Sequence, residues 1–117
     1  MTRITVTLAG KVLTATLEDS PAGRDFAALL PLTLTLTDYH GMEKVADLPR
    51  KLETTGAPPK LAAKAGDLML YAPWGNLAIF YKPIPSTSGL VKLGSFDGSI
   101  EPLLQDKPSI AVFEAMA

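Results

Sequence analysis

Apolar and polar residues alternate along two stretches near the start of the chain, residues 4–8 and 13–17. A period of two residues is typical of strands that bury one face. Gly10 and Lys11 lie between the stretches, and glycine at the first central position suits a two-residue hairpin turn. The pattern therefore predicts an antiparallel hairpin in which three apolar pairs share one face: Leu8 with Leu13, Val6 with Ala15 and Ile4 with Leu17.

A helix is predicted directly after this hairpin. Serine is a favoured N-cap and proline suits the first helical position, so Ser20 and Pro21 mark its start. Phe26 and Leu30 fall on one side of such a helix, and Pro31 ends it because proline disfavours helical backbone in the residue before it. We expect a short amphipathic helix of about two to three turns.

The rest of the chain predicts further strands separated by proline-rich and glycine-rich connections. We expect strands over residues 32–37, 43–48, 67–72, 77–81, 90–93 and 109–114, and a short helix over 100–105. Loops are expected over 49–66, with a turn of helix near 50–52, and over 83–89. Strands and helices do not alternate regularly, which argues against a doubly wound parallel sheet. The predicted fold is mainly β: one domain, residues 1–117, forming a closed eight-stranded antiparallel barrel capped by two short helices.

Composition removes several kinds of chemistry. The 117 residues carry 11 basic and 12 acidic side chains, a formal net charge of −1, which gives no electrostatic reason to expect nucleic acid or a membrane as partner. There is no cysteine and one histidine, so thiolate sites and an all-histidine zinc site are excluded, and we predict no metal and no cofactor. No secretory or membrane-spanning segment is recognised, so we expect a cytoplasmic protein.

Three segments resemble a known family. Residues 38–49 read D-Y-H-G-M-E-K-V-A-D-L-P, residues 66–81 read G-D-L-M-L-Y-A-P-W-G-N-L-A-I-F-Y, and residues 89–94 read G-L-V-K-L-G. They are similar to the corresponding segments of small bacterial cyclophilin-like proteins, and the order of elements agrees along nearly the whole chain. The resemblance implies a cyclophilin-type eight-stranded barrel with two capping helices. It implies no particular activity.

The resemblance does not supply a catalytic residue. Prolyl isomerases of the true cyclophilin family use an arginine on a strand after the first helix, within an F-x-R motif. Residues 32–48 contain no arginine, phenylalanine or glutamine, and the three arginines of the chain are Arg3, Arg24 and Arg50, elsewhere in the sequence. Lys44 is the nearest cation, but an ammonium lacks the planar fork of a guanidinium. We therefore predict no catalytic residue.

The predicted binding residues surround two turns and comprise Tyr39, His40, Glu43, Trp74, Asn76 and Phe80. Trp74 is interpreted either as the wall of a pocket or, preferably, as a plug in the barrel mouth. His40 beside Glu43 is interpreted either as a general base or, preferably, as a turn residue. Asn76 is expected to form a turn. A metal site formed by Asp38, His40 and Glu43 is the least favoured interpretation.

The leading hypothesis is a non-catalytic module that binds a small molecule or an extended peptide. One alternative is a weak peptidyl-prolyl isomerase, or another enzyme, that uses His40 with Glu43 or Lys44. Another is a structural or self-associating module in which the segment 83–85 meets a second subunit. We expect a monomer or a weak homodimer.

Overall fold

Eight strands close into an antiparallel barrel in the computed structural model, which describes residues 1–116. Residues 1–116 form ten strands, of which β5 and β8 lie outside the barrel: β1 (Thr2–Leu8), β2 (Lys11–Leu17), β3 (Leu32–Tyr39), β4 (Glu43–Asp47), β5 (Lys60–Ala63), β6 (Asp67–Tyr71), β7 (Asn76–Phe80), β8 (Ile84–Ser88), β9 (Leu90–Phe96) and β10 (Ser109–Ala115). Their order around the barrel is β1-β10-β3-β4-β7-β6-β9-β2, and β2 closes it by pairing with β1. The predicted fold class is confirmed.

Two helical segments accompany the barrel. The helix α1 (Pro21–Ala27) begins as predicted, because the Ser20 hydroxyl accepts a hydrogen bond from the Gly23 amide at 3.1 Å. Phe26 of α1 is fully buried and meets Phe113 edge-on, with ring centroids 6.0 Å apart. The helix predicted over 100–105 is a single 3₁₀ turn, Glu101–Leu103. Within residues 1–116, no helix is long and apolar enough to cross a bilayer.

The first hairpin forms, but its predicted register was wrong by two residues. Val6 pairs with Leu13, and the turn residues are Ala9 and Gly10, with φ of 49° and 73°. Two positive φ values at the central positions give the turn a twist that matches the flanking strands. A shift by two residues preserves which face each side chain points to, so the predicted buried face is still the one that fills the barrel.

A two-stranded ribbon of β5 and β8 lies where the sequence predicted loops. The predicted loop 83–89 therefore contains a strand, and the predicted helical turn near 50–52 is absent. Both strands were missed for local reasons: β5 has four residues without clear alternation, and Pro85 lies within β8. Proline is found in strands mainly at edges, which is where it lies here.

The ribbon gives the molecule a second apolar core outside the barrel. The barrel interior holds residues such as Leu77 and Ile79, whereas Ala78 and Phe80 point outward and are buried under the ribbon. All five residues of β7 are therefore buried. The outer core also contains Ala63, Met69 and Leu90, with Val45, Leu61, Tyr71 and Ile84 packed against it.

Gly94 of β9 lies close to the backbone of β2, and this close approach leads to a prediction. A Cβ atom at this position would lie 2.2 Å from the carbonyl oxygen of Thr16 and 2.8 Å from the Cα of Leu17. We expect Gly94→Ala to lower the free energy of unfolding by about 3 kcal/mol, because the contacted atoms are backbone and cannot move aside cheaply. Urea denaturation measures the change. Gly98→Ala is the matched control, since a Cβ at Gly98 meets nothing within 4 Å, and equal stability of the two variants would contradict this account.

Candidate functional site

A cavity of about 690 Å³ lies on the outer face of the barrel, between the ribbon and the strands β3, β4 and β7. Its walls come from six strands and from the loop between β6 and β7: Thr35, Thr37, Tyr39, Glu43, Val45, Ala46, Asp47, Tyr71, Trp74, Asn76, Phe80, Ile84, Thr87 and Leu90. The ribbon strand β8 supplies Ile84 and Thr87 to the lining, so one of the two strands that the sequence analysis missed helps to form the cavity.

Five of the six predicted binding residues line this cavity, and His40 does not. His40 is exposed in the turn between β3 and β4, where its φ is 55°. Its ring packs edge-on against Tyr39, with the centroids 4.1 Å apart. The position of His40 agrees with its interpretation as a turn residue that supports a cavity residue.

Three aromatic rings form one wall of the cavity. The Trp74 ring lies 5.2 Å from that of Tyr71 and 6.0 Å from that of Tyr39, at interplanar angles of 88° and 85°. Edge-to-face geometry of this kind is favourable between aromatic rings. Trp74 is 66% exposed and lines the cavity outside the barrel, so the preferred interpretation as a plug in the barrel mouth was wrong. The tryptophan is instead part of a cavity wall that solvent reaches.

The loop that carries Trp74 is held in place by its neighbours. The amide of Gly75 donates to the Tyr71 carbonyl at 2.9 Å, and the amide of Ala72 donates to the Gly89 carbonyl at 2.9 Å. A Cβ at Gly89 would lie 2.8 Å from the Pro73 ring. The glycine between β8 and β9 therefore lets the loop pack directly against the ribbon, which fixes the base of the aromatic wall.

Asn76 was expected to form a turn, but it is the first residue of β7 and pairs with Asp47 and Tyr71. Its side chain is buried, with 6% of the residue exposed, and its Nδ2 donates to the Leu77 carbonyl at 3.1 Å. The Oδ1 atom is buried and has no hydrogen-bond partner among the described residues. A buried acceptor without a hydrogen-bond donor destabilises the folded state by about 1–3 kcal/mol. A donor placed at the Asn76 Oδ1 would remove this cost.

Two carboxylates, Glu43 and Asp47, face the cavity from β4. They lie on one face because side chains alternate along a strand. Burial raises the pKa of Glu43, and the nearby His40 partly opposes the rise. Neither carboxylate forms an ion pair within residues 1–116. No lysine, arginine or histidine is among the residues that line the cavity.

Lys44, which lies between these carboxylates in the sequence, points to the opposite face of β4. It is 5% exposed, its Nζ donates to the Gln105 carbonyl at 2.6 Å, and it lies 3.4 Å from Asp38 Oδ1. It also lies 5.6 Å from the centre of the Tyr81 ring. Lys44 therefore ties the segment after the 3₁₀ turn to the barrel and does not reach the cavity.

Asp38 links this buried lysine to Tyr81. The tyrosine hydroxyl donates to the Asp38 carboxylate, and this hydrogen bond raises the pKa of Tyr81 to about 12. The same bond lowers the pKa of Asp38, which also accepts from the amide of Gly41 at 2.9 Å. Asp38 thus has structural partners, and within residues 1–116 no group of three His, Asp or Glu side chains is placed to hold a metal ion.

None of the three arginines reaches the cavity. Arg50 pairs with Asp25 of α1, and its two terminal nitrogens donate to the two carboxylate oxygens at 2.9 and 2.7 Å. Such bidentate pairs are the strongest form of this interaction. The amide of Glu53 also donates to Asp25 at 2.7 Å. Arg50 therefore attaches the long connection before β5 to the helix.

The sequence analysis missed most of the remaining lining residues. Thr35 and Thr37 alternate with the buried leucines of β3 and point outward, and the cavity lies against that outward face. Tyr71 stands in the same segment as Trp74 and was not singled out. Ile84 and Thr87 belong to β8, which was predicted as a loop. The alternation along β3 indicated that the two threonines point outward. No nearby residue indicated which element would form a cavity against them.

The closed eight-stranded barrel with its external cavity is a cyclophilin-type architecture. Residues 6–113 match the Cyclophilin-like family, and the chain belongs to that family, which confirms the predicted resemblance. The structure is similar to the solution structure of a hypothetical protein from Archaeoglobus fulgidus, with a TM-score of 0.75 over 98% of this chain and 95% of that chain. The two sequences are 17% identical, so this similarity concerns the fold alone. No curated protein matches the sequence.

The buried position of Lys44 predicts a structural role. Lys44→Met leaves the Gln105 carbonyl without its donor and Asp38 without its cation, and we expect the free energy of unfolding to fall by about 1–3 kcal/mol. Urea denaturation measures this change. Lys82→Met, at an exposed position, is the control and should be nearly neutral. A stability unchanged by Lys44→Met would mean that the buried contacts contribute nothing.

The pair of Asp25 and Arg50 predicts a pH-dependent stability. The hydrogen bond from Arg50 and the Glu53 amide lower the pKa of Asp25 to about 2 from its ordinary value of 3.8. A depressed carboxyl pKa stabilises the folded state above the ordinary value, and the stabilisation is lost as the pH falls towards 2. We therefore expect Asp25→Asn to lower the melting temperature at pH 7 and to have little effect near pH 2.

Thermal melts at the two pH values test this expectation. Asp106→Asn is the control, because Asp106 is exposed and forms no ion pair within the described part of the chain. An Asp25→Asn deficit of the same size at both pH values would show that the ionised pair is not its source.

Proposed function

We propose that the chain is a non-catalytic binding domain whose outer cavity takes a small molecule or an extended peptide segment. The observation that carries this proposal is the buried, unpartnered Oδ1 of Asn76 in the wall of a 690 Å³ cavity. A folded protein rarely leaves such an atom unpaired, because the cost is not recovered elsewhere. A ligand with a donor would satisfy it once the Asn76 side chain turns the buried Oδ1 towards the cavity.

The shape and lining of the cavity support the same proposal. Ligand sites typically measure about 300–1,000 Å³ and combine apolar walls with a few polar groups. Here Val45, Phe80 and Leu90 supply apolar surface, and threonine, tyrosine and asparagine side chains supply the polar groups. The exposed ring of Trp74 offers a large surface at the entrance.

The placement of the charged residues supports a binding role over catalysis. Prolyl isomerisation on the true cyclophilin pattern needs a guanidinium beside the bound amide, and Arg50 is engaged with Asp25 instead. His40 and Lys44, which the enzyme alternative requires, lie outside the cavity lining. Self-association through residues 83–85, the predicted monomer or weak homodimer and the cytoplasmic location stay predictions.

Ligand binding can be followed through Trp74, the only tryptophan of the chain. A panel of metabolites and proline-containing peptides should include ligands that change Trp74 fluorescence and raise the melting temperature, since a ligand bound to the folded state stabilises it. A panel that changes neither signal would contradict the proposal. Isomerisation of a proline peptide that is lost in a folded His40→Ala variant would favour the enzyme alternative.

A pair of variants on one strand face assigns the binding to this cavity. Thr37→Phe places a larger side chain at an exposed cavity-lining position, and we expect it to abolish the binding seen with the natural chain. Thr33→Phe changes an exposed residue on the same face of β3 that does not line the cavity, so it should bind normally. Equal binding by both variants would place the ligand elsewhere.

A further inference from the structure

Building on the proposed binding function, we infer that the cavity selects ligands that carry a positively charged nitrogen with N–H groups, a protonated amine or a guanidinium. Three independent features of the lining lead to this inference: its charge, its aromatic wall and its surplus of hydrogen-bond acceptors. The same chemistry occurs in a free amine and in a basic side chain of a peptide, and the experiment below separates these two sources.

The charged residues that line the cavity are all acidic. Glu43 and Asp47 are its only lining residues that carry a formal charge, and both are without an ion-pair partner within residues 1–116. His40 lies next to the site and Asp38 is engaged with Tyr81 and Lys44 on the far side of the strands. Charges of one sign in a cleft attract ligands of the opposite sign.

The aromatic wall suits a cation. Trp74 stands nearly perpendicular to both Tyr39 and Tyr71, so the three rings present faces in more than one direction around the cavity mouth. A cation within about 6 Å of an aromatic ring face is attracted by the ring quadrupole, most strongly for tryptophan. A neutral or anionic ligand would gain little from aromatic faces beside two carboxylates, because it lacks the positive charge that both attract.

The hydrogen-bonding groups point to a donor. Ionised carboxylates accept hydrogen bonds and cannot donate them, and the free Oδ1 of Asn76 is also an acceptor. Ammonium and guanidinium groups only donate. A ligand with a charged N–H group can therefore donate to the unneutralised carboxylates and, once the Asn76 side chain turns towards the cavity, to its Oδ1.

The test compares matched probes by calorimetry and Trp74 fluorescence. Hexylamine, a cation at pH 7, is compared with hexanol, a neutral molecule of the same length. We expect the amine to bind about tenfold more tightly, the scale of a partly desolvated cation beside aromatic rings and a carboxylate. In parallel, a blocked Ala-Lys-Ala peptide is compared with one in which norleucine replaces the lysine.

Glu43→Gln should reduce the preference for the amine over hexanol to about threefold or less, because it removes one of the two carboxylates. Glu114→Gln is the matched control: it makes the same change in net charge at an exposed position of β10 outside the cavity. Asp47→Asn, at an exposed position, replaces Glu43→Gln as the test if that variant does not fold.

The outcomes separate this inference from the proposed function. Equal affinity for hexylamine and hexanol would overturn the charge selection while leaving a binding cavity in place. The inference is also overturned if Glu114→Gln reduces the preference as much as Glu43→Gln. Binding of neither probe and neither peptide would contradict both proposals. A preference confined to hexylamine supports a free amine as the source, and one shared by the lysine peptide supports a peptide side chain.

Discussion

The strand β7 is buried on both faces, and each face needs apolar side chains from other elements packed against it. The rest of the structure depends on meeting this constraint. Its inner residues fill the barrel, while Ala78 and Phe80 point outward and are covered by the β5–β8 ribbon. Burial of a large apolar side chain contributes about 1.5–3 kcal/mol, so leaving Phe80 exposed would be costly. The ribbon thus completes the core, and because it covers only part of the outer face, it also creates the cavity beside it.

The barrel itself was predictable because its signals are local. The alternation along β1, β2 and β3 and the capping serine of α1 each depend on residues close in sequence. The register of the first hairpin was not fixed by alternation, because pairings that differ by two residues place the same apolar face inward. The turn decided it, and the left-handed pair Ala9-Gly10 was not distinguishable from the alternative Gly10-Lys11 by glycine content alone.

The sequence predicted those site residues that lie at or next to the two turns, and it did not predict the others. Tyr39 and Glu43 face each other across the β3–β4 turn, and Trp74 and Asn76 adjoin the β6–β7 turn. These two turns border one cavity because β4 pairs with β7, and the paired residues are 29 to 37 positions apart in the sequence. Exposure of Trp74 likewise depends on where the ribbon stops covering the barrel. No short-range pattern carries that information.

The alternation of β4 also explains why the cavity stays negatively charged. Glu43 and Asp47 point outward, whereas Lys44 points inward, where it pairs with Asp38 and donates to the Gln105 carbonyl. A neighbour in sequence that could neutralise the carboxylates is therefore on the wrong side of the sheet. Burial makes the charge of Glu43 unfavourable, and the lower dielectric around this half-buried carboxylate also strengthens its attraction for a cation. One barrel strand, β4, thereby supplies the charged residues of the cavity outside the barrel.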